Sequence, residues 1–204
     1  MLRDGDRDRA TNTRELKQAL RAEALRKRRS IDPKRLVDLS SLVETNLVSL
    51  KEYKDAKLII SYCAKDDEVQ TQGIVERALG EGKRVAAIVT DVESKTLRFS
   101  EIESFEDDLA PGPFEILEPK PDRLRPVQIH RADLILVPLV AWDERGHRLG
   151  YGAGYFDRAL VGSRGVTKVG LALESQRLPQ IPESRHDVPL DVIVTEKRVV
   201  RPAR

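Results

Sequence analysis

Between Val137 and Arg158 the sequence reads V-P-L-V-A-W-D-E-R-G-H-R-L-G-Y-G-A-G-Y-F-D-R, a buried-type strand that runs into glycines at every second position and then into a helix. Gly150, Gly152 and Gly154 remove side chains, so consecutive backbone N–H groups can close on phosphate oxygens, with the dipole of the following helix behind them. Arg148 is placed to add a charge-assisted bond. The spacing is not that of a dinucleotide-binding turn, because Tyr155 stands at the third-glycine place, and no Walker-type lysine-hydroxyl pair is present. The alternative for these glycines is a flexible surface turn. Asp157 follows the loop, where a carboxylate can hold a hard cation against phosphate oxygens or serve as a helix cap. Lys17 and Arg21, four apart, share one helix face, and Arg14 and Arg28 extend that stripe at spacings of three and seven. Such a stripe suits a phosphate chain; the alternatives are a solvated basic face or a nucleic-acid patch. Arg26 to Arg29 are expected to be solvated.

The elements that must position these residues follow from patterning. Residues 1–11 are mostly charged or small and read as a disordered tail. Asn12 followed by Glu15 resembles a capping box opening a helix through about residue 28. Asp32-Pro33 opens a second helix, with Leu39, Leu42, Val43, Leu47 and Leu50 as its buried face. From residue 57 short β-branched runs alternate with helical ones. Strands are expected at 58–60, 85–89, 96–99, 134–140, 168–173 and 190–194, and helices at 71–80, ending in a Gly80 cap, and at 155–160. Residues 105–131 carry five prolines and read as a long ordered loop. The class is α/β, a three-layer sandwich with a largely parallel sheet and two leading N-terminal helices, in a single domain over 12–204. Glu68 falls just past the first strand, in the carboxyl-end loops where open α/β sheets take their ligands.

Composition narrows the function classes. The chain has 204 residues and a formal net charge of +2, too balanced for a nucleic-acid-binding protein as a whole. Ten of its basic groups, against five acidic ones, fall in residues 1–30, so the remainder is net negative. No apolar run approaches the roughly 18–20 residues needed to cross a bilayer, and the start carries no secretion segment, so a cytoplasmic protein is expected. Cys63 is the only cysteine, which excludes an internal disulfide or a thiolate cluster. The three histidines lack metal-ligand spacing, and no G-x-S-x-G elbow supports a serine hydrolase.

From Pro138 to Asp157 the sequence resembles the signature of the 5-formyltetrahydrofolate cyclo-ligase family, also called methenyltetrahydrofolate synthetases, which reads roughly P-G-x-A-F-D-x-x-G-x-R-L-G-x-G-x-G-Y-Y-D. Leu139, Trp142 and Phe156 replace the family's glycine, phenylalanine and second tyrosine, and none of the three removes a charged group. The resemblance continues through Lys17 to Arg21, the run from Tyr62 to Thr71, Phe114 to Pro119, and His186-Asp187, and leaves out residues 1–11. It implies an enzyme that uses ATP and Mg²⁺ to convert 5-formyltetrahydrofolate into 5,10-methenyltetrahydrofolate, releasing ADP and phosphate. By the same resemblance Lys17, Arg148 and Asp157 act in catalysis, and ATP is held by Lys17, Arg21, Arg148, Gly150, Gly152, Ala153, Gly154, Tyr155 and Phe156. Cys63, Glu68, Phe114, Tyr151 and Tyr155 would line the folate pocket, with Glu68 paired to pterin N–H groups, and Asp157 and Asp187 would hold magnesium. Cys63 reads equally as a buried small apolar residue, and Phe114 as a staple for the long loop. A small-molecule substrate is expected, with no nucleic acid, membrane or obligate protein partner. The competing readings are a sugar-phosphate enzyme of related architecture and a non-catalytic folate- or nucleotide-binding regulator.

Overall fold

The apolar runs become strands buried on both faces. In the computed structural model, which describes residues 4–203, the chain forms α1 (Asp4–Arg29), α2 (Pro33–Ser49), α3 (Lys51–Asp55), β1 (Leu58–Ile60), α4 (Gln72–Gly80), β2 (Arg84–Asp91) and β3 (Thr96–Ile102). The proline-rich stretch then folds into α5 (Phe105–Asp108), β4 (Leu109–Pro111), β5 (Leu117–Pro119) and β6 (Pro126–Val127). The remainder supplies β7 (Leu134–Val137), β8 (Ala141–Trp142), β9 (Arg148–Leu149), α6 (Tyr155–Leu160), β10 (Thr167–Leu171), β11 (Val192–Val194) and β12 (Val199–Val200).

Among the described residues the main sheet has eight strands in the order β12-β11-β10-β7-β1-β2-β3-β6. The pairings from β11 through β10, β7 and β1 to β2 are parallel, and the outer pairings are antiparallel. Successive side chains alternate between two cores, as a sheet covered on both faces requires. Ile59, Leu134, Leu136, Val169 and Val192 join the core beneath α2, α3 and α4. Leu58, Ile60, Ile135, Val137 and Ile193 join the core that contains Leu160 of α6 and the buried Trp142. The largely parallel α/β architecture read from the sequence is thus present.

Several local expectations change. Helix α1 begins at Asp4, so Asn12 and Glu15 lie inside it and form no capping box there; of the residues read as a tail, 1–3 lie outside the described residues. The Asp32 cap is present, its carboxylate accepting from the Lys34 and Arg35 amides. On α2, however, Leu42 is 50% exposed while Leu36 and Ser40 are buried with Val43 and Leu47. Gly80 is the last residue of α4 rather than its cap, and the left-handed turn falls on Gly82. Strand β7 stops at Val137 because Pro138 has no N–H to extend the ladder.

The two leading helices take different places. Helix α2 covers one face of the sheet, whereas α1 packs Ala24, Leu20 and Leu25 on Val140, Ala141, Leu149 and Ile181. Those residues belong to segments that follow the carboxyl ends of β7 and β10, so α1 lies across the end of the sheet where the loops converge.

Candidate active site

Strand order locates the crevice. The chain leaves β1 through α4 toward β2 on one side, and leaves β7 through α6 toward β10 on the other, while β1 and β7 are adjacent. Their carboxyl-end loops therefore diverge, which is the topological switch point where open parallel sheets take ligands. The loop after β1 carries Cys63 and Glu68, and the segment after β7 carries the glycine loop.

The first half of the long motif is scaffold. Asp143, fully buried, accepts from the amides of Arg145 (3.0 Å), His147 (3.1 Å) and Ile181 (2.9 Å), which closes the β8–β9 turn and ties it to the segment after β10. Gly146 turns with φ +85° where a Cβ would meet the Leu190 carbonyl at 2.7 Å. The second half is the loop itself. Gly152 (φ +102°) and Gly154 (φ +73°) sit in left-handed backbone regions, while Gly150 does not. Only the first two are glycines for a conformational reason.

The basic face of α1 reaches this loop. Arg21 donates from Nε to the Gly150 carbonyl at 2.6 Å, and its guanidinium lies against Gly152. Lys17 donates to Ser184 Oγ at 2.8 Å and forms an ion pair with Asp187. Arg148, nearly buried, donates to Asp157 at 2.7 Å and to the Val188 carbonyl, and Asp157 also accepts from the Val188 amide at 3.3 Å. Burial pushes the Arg148 guanidinium below its ordinary value, and the charges of Asp157 and Asp187 hold it up. Lys17, Arg148, Asp157 and Asp187 thus form one alternating cluster of cations and carboxylates. Asp157 and Asp187 offer only oxygen donors, the set that suits Mg²⁺, and among the described residues no group of three or more His, Cys, Asp or Glu competes as a metal site.

Across the switch point the glycine loop meets Glu68. Tyr151 donates its hydroxyl to Glu68 at 3.1 Å, and Glu68, 5% exposed, also accepts from the Lys65 amide at 2.9 Å. Burial pushes the Glu68 carboxyl up; the Lys65 amide, the Arg28 charge and the Tyr151 hydroxyl pull it back, while Asp67 pushes it further up. Cys63 is buried beside this loop and its thiol is pushed up to about 12 by burial first and the Glu118 charge second. Phe114 is 52% exposed, in a left-handed conformation (φ 60°), with its ring edge-on to Tyr155 at 6.3 Å.

The structure therefore brings Lys17, Arg21, Arg148, Gly150, Gly152, Asp157 and Asp187 to one side, and Glu68 and Tyr151 to the other. It pairs Phe114 with Tyr155. The Ala153 carbonyl accepts from Arg158 at 3.1 Å, and the Phe156 side chain packs against both sheet cores, leaving its backbone as the part that faces the loop. Arg28 is the main correction: Arg26 and Arg29 are exposed, but Arg28 is only 2% exposed and is bonded to Asp67, Leu139 and Tyr151. The signal was its seven-residue step from Arg21, which puts both on the inward face of α1. Ser184 and Asp67 carried no signal of their own.

A family model described as the 5-formyltetrahydrofolate cyclo-ligase family matches residues 13–196. This chain belongs to the 5-formyltetrahydrofolate cyclo-ligase family. The Escherichia coli 5-formyltetrahydrofolate cyclo-ligase is 28% identical over 176 residues, covering 85% of this chain and 96% of that protein. The Mus musculus 5-formyltetrahydrofolate cyclo-ligase is 27% identical over 196 residues, covering 92% and 97%. The solution structure of Aquifex aeolicus 5,10-methenyltetrahydrofolate synthetase superimposes with a TM-score of 0.82 at 35% identity, over 93% of this chain and 94% of that one. The family membership and the α/β fold expected from the sequence are both borne out. Among the described residues no helix is long and apolar enough to cross a membrane.

Proposed function

We propose that this chain converts 5-formyltetrahydrofolate to 5,10-methenyltetrahydrofolate at the expense of ATP. The observation that carries this reading is the hydrogen bond of Tyr151 to Glu68, which joins a loop held by a phosphate-type cation, Arg21, to a buried carboxylate suited to the N–H donors of a pterin. The formyl group on N5 is an unreactive amide whose oxygen is a poor leaving group. Its oxygen attacks the γ-phosphorus of ATP, and the bond from that phosphorus to the bridging oxygen breaks to release ADP. N10 then adds to the formyl carbon, the carbon–oxygen bond to phosphate breaks, and N10 loses its proton as the five-membered ring closes.

Catalysis of such a transfer consists mainly of positioning and charge compensation. Lys17, Arg21 and Arg148 neutralise the phosphates, and the Gly150–Gly154 backbone lies along the phosphate chain. Asp157 and Asp187 would hold Mg²⁺, which when bound compensates charge on the transferring group. Glu68, Tyr151, Tyr155, Phe114 and Cys63 form the folate side. Purified protein with ATP, Mg²⁺ and 5-formyltetrahydrofolate is expected to develop the long-wavelength absorbance of the methenyl product in step with ADP release. Absence of product at high enzyme concentration overturns the reading; ligand binding without turnover indicates a regulator.

A further inference from the structure

We propose that Arg28 is a positioning residue for the folate side of the site, holding Glu68 and Tyr151 in place while leaving both Glu68 oxygens open to a ligand. The inference rests on the cyclo-ligase reading for the ligand's identity and on geometry for the rest. The guanidinium is buried and its directional bonds go elsewhere. Nε and Nη2 donate to Asp67 at 3.0–3.1 Å, Nη2 also to the Tyr151 hydroxyl, and Nη1 to the Leu139 carbonyl at 3.1 Å. Glu68 receives no hydrogen bond from it, and its Oε1 stands 3.9 Å from Nη1. A cation at that range stabilises the ionised carboxylate without occupying its lone pairs. Asp67 thus absorbs the fork of Arg28, and each Glu68 oxygen carries a single protein hydrogen bond, from Tyr151 on one and Lys65 on the other.

The chemistry of the ligand explains the need. A pterin presents adjacent N–H donors, which pair with an ionised carboxylate; a protonated one would turn a donor toward a donor. Burial pushes Glu68 toward that neutral form. The groups facing it are Asp67 and the Lys65 amide from its own loop, the Tyr62 hydroxyl from the end of β1, Tyr151 from the glycine loop and Arg28 from α1. Of these side chains Arg28 alone is a cation.

The test is to titrate ATP and 5-formyltetrahydrofolate separately in Arg28→Met and Arg28→Lys. Arg28→Met is expected to raise the KM for the folate by about 10-fold to 100-fold, leave that for ATP within about 2-fold, and move the acid limb of kcat/KM for the folate to higher pH. Arg28→Lys keeps the charge and loses the fork, so the limb stays in place while the folate KM rises about 3-fold to 10-fold. Equal rises in both KM values, or an unchanged folate KM in either variant, overturns the proposal. If Arg28→Met fails to fold, Arg28→Lys decides by the same criterion. If the wild-type protein turns over no folate, the cyclo-ligase reading falls by itself. A ¹³C NMR titration of the Glu68 carboxyl in wild type and Arg28→Gln then still decides whether Arg28 governs Glu68: a higher titration in the variant supports it, and no change overturns it.

Discussion

Glu68 shows how one carboxylate is bought at a cost to the fold. Its carboxyl is raised by burial, so the folded state binds the proton more tightly than the unfolded chain does. The associated stability is fully present below the ordinary carboxylate value and is lost as pH rises through the raised one. Glu68→Gln removes that loss while keeping the shape. Calorimetry is expected to give the variant a higher Tm than wild type at pH 7–8, with the difference shrinking toward pH 4, and folate turnover at neutral pH is expected to fall by about 100-fold, the scale of a lost charged hydrogen-bond partner. A Tm difference that does not change with pH would show that Glu68 titrates alike in both states.

At the scale of the element, the glycine loop separates into positions with different physical demands. Gly152 combines φ +102° with the Arg21 guanidinium 3.2 Å from where a Cβ would stand, whereas a Cβ on Gly150 would meet nothing within 4 Å. Gly152→Ala therefore pays about 1–2 kcal/mol for its backbone conformation and also presses on Arg21. Its ATP KM is expected to rise by about 10-fold or more, while chemical denaturation shows a loss of about that 1–2 kcal/mol. Gly150→Ala should leave stability within about 0.5 kcal/mol of wild type. An equal ATP defect in both variants would mean that ligand approach rather than backbone conformation selects these glycines. The proline-rich segment shows the same division of labour. Buried Asp108 accepts from the Glu103 amide at 2.7 Å and pairs with Arg123 and Arg125, ordering the stretch that presents Phe114 to Tyr155.

For the whole molecule, the arrangement of charge sets how the nucleotide enters. Lys17 is paired with Asp187 and Arg148 with Asp157, so the cations for phosphate are already neutralised by the carboxylates for metal. ATP alone must displace those carboxylates and leave them uncompensated; ATP with Mg²⁺ gives each charge a new partner. Because α1 carries Lys17 and Arg21 and packs across the sheet end, this exchange stabilises the fold as a unit. At about 100 times Kd, a bound ligand adds about 2.7 kcal/mol, which for a chain of this size is a Tm rise of roughly 5–10 °C. Thermal unfolding is expected to show that rise with ATP and Mg²⁺ together, and less than half of it once EDTA removes the metal. An equal rise with EDTA would place the nucleotide away from the Asp157–Asp187 pair.

What the sequence by itself determined is what neighbours within one element decide. The alternating cores of β1 and β7, the Asp32-Pro33 helix start, the glycine-loop-to-helix junction and the Lys17–Arg21 face all follow from periodicity and steric preference over a few residues. The family signature added the folate and ATP chemistry as expectations. Tertiary structure decided what depends on residues far apart in the chain. Tyr151 meets Glu68 across 83 positions and Lys17 meets Asp187 across 170. Asn12 and Glu15 have capping-box spacing, yet that spacing only permits a helix start, and a helix running on upstream from Asp4 overrides it. Arg28, one of four consecutive basic residues, is buried because α1 turns that position toward Asp67, Tyr151 and Leu139 at the end of the sheet, and nothing local distinguishes it from Arg26 or Arg29 except the face of the helix on which it falls.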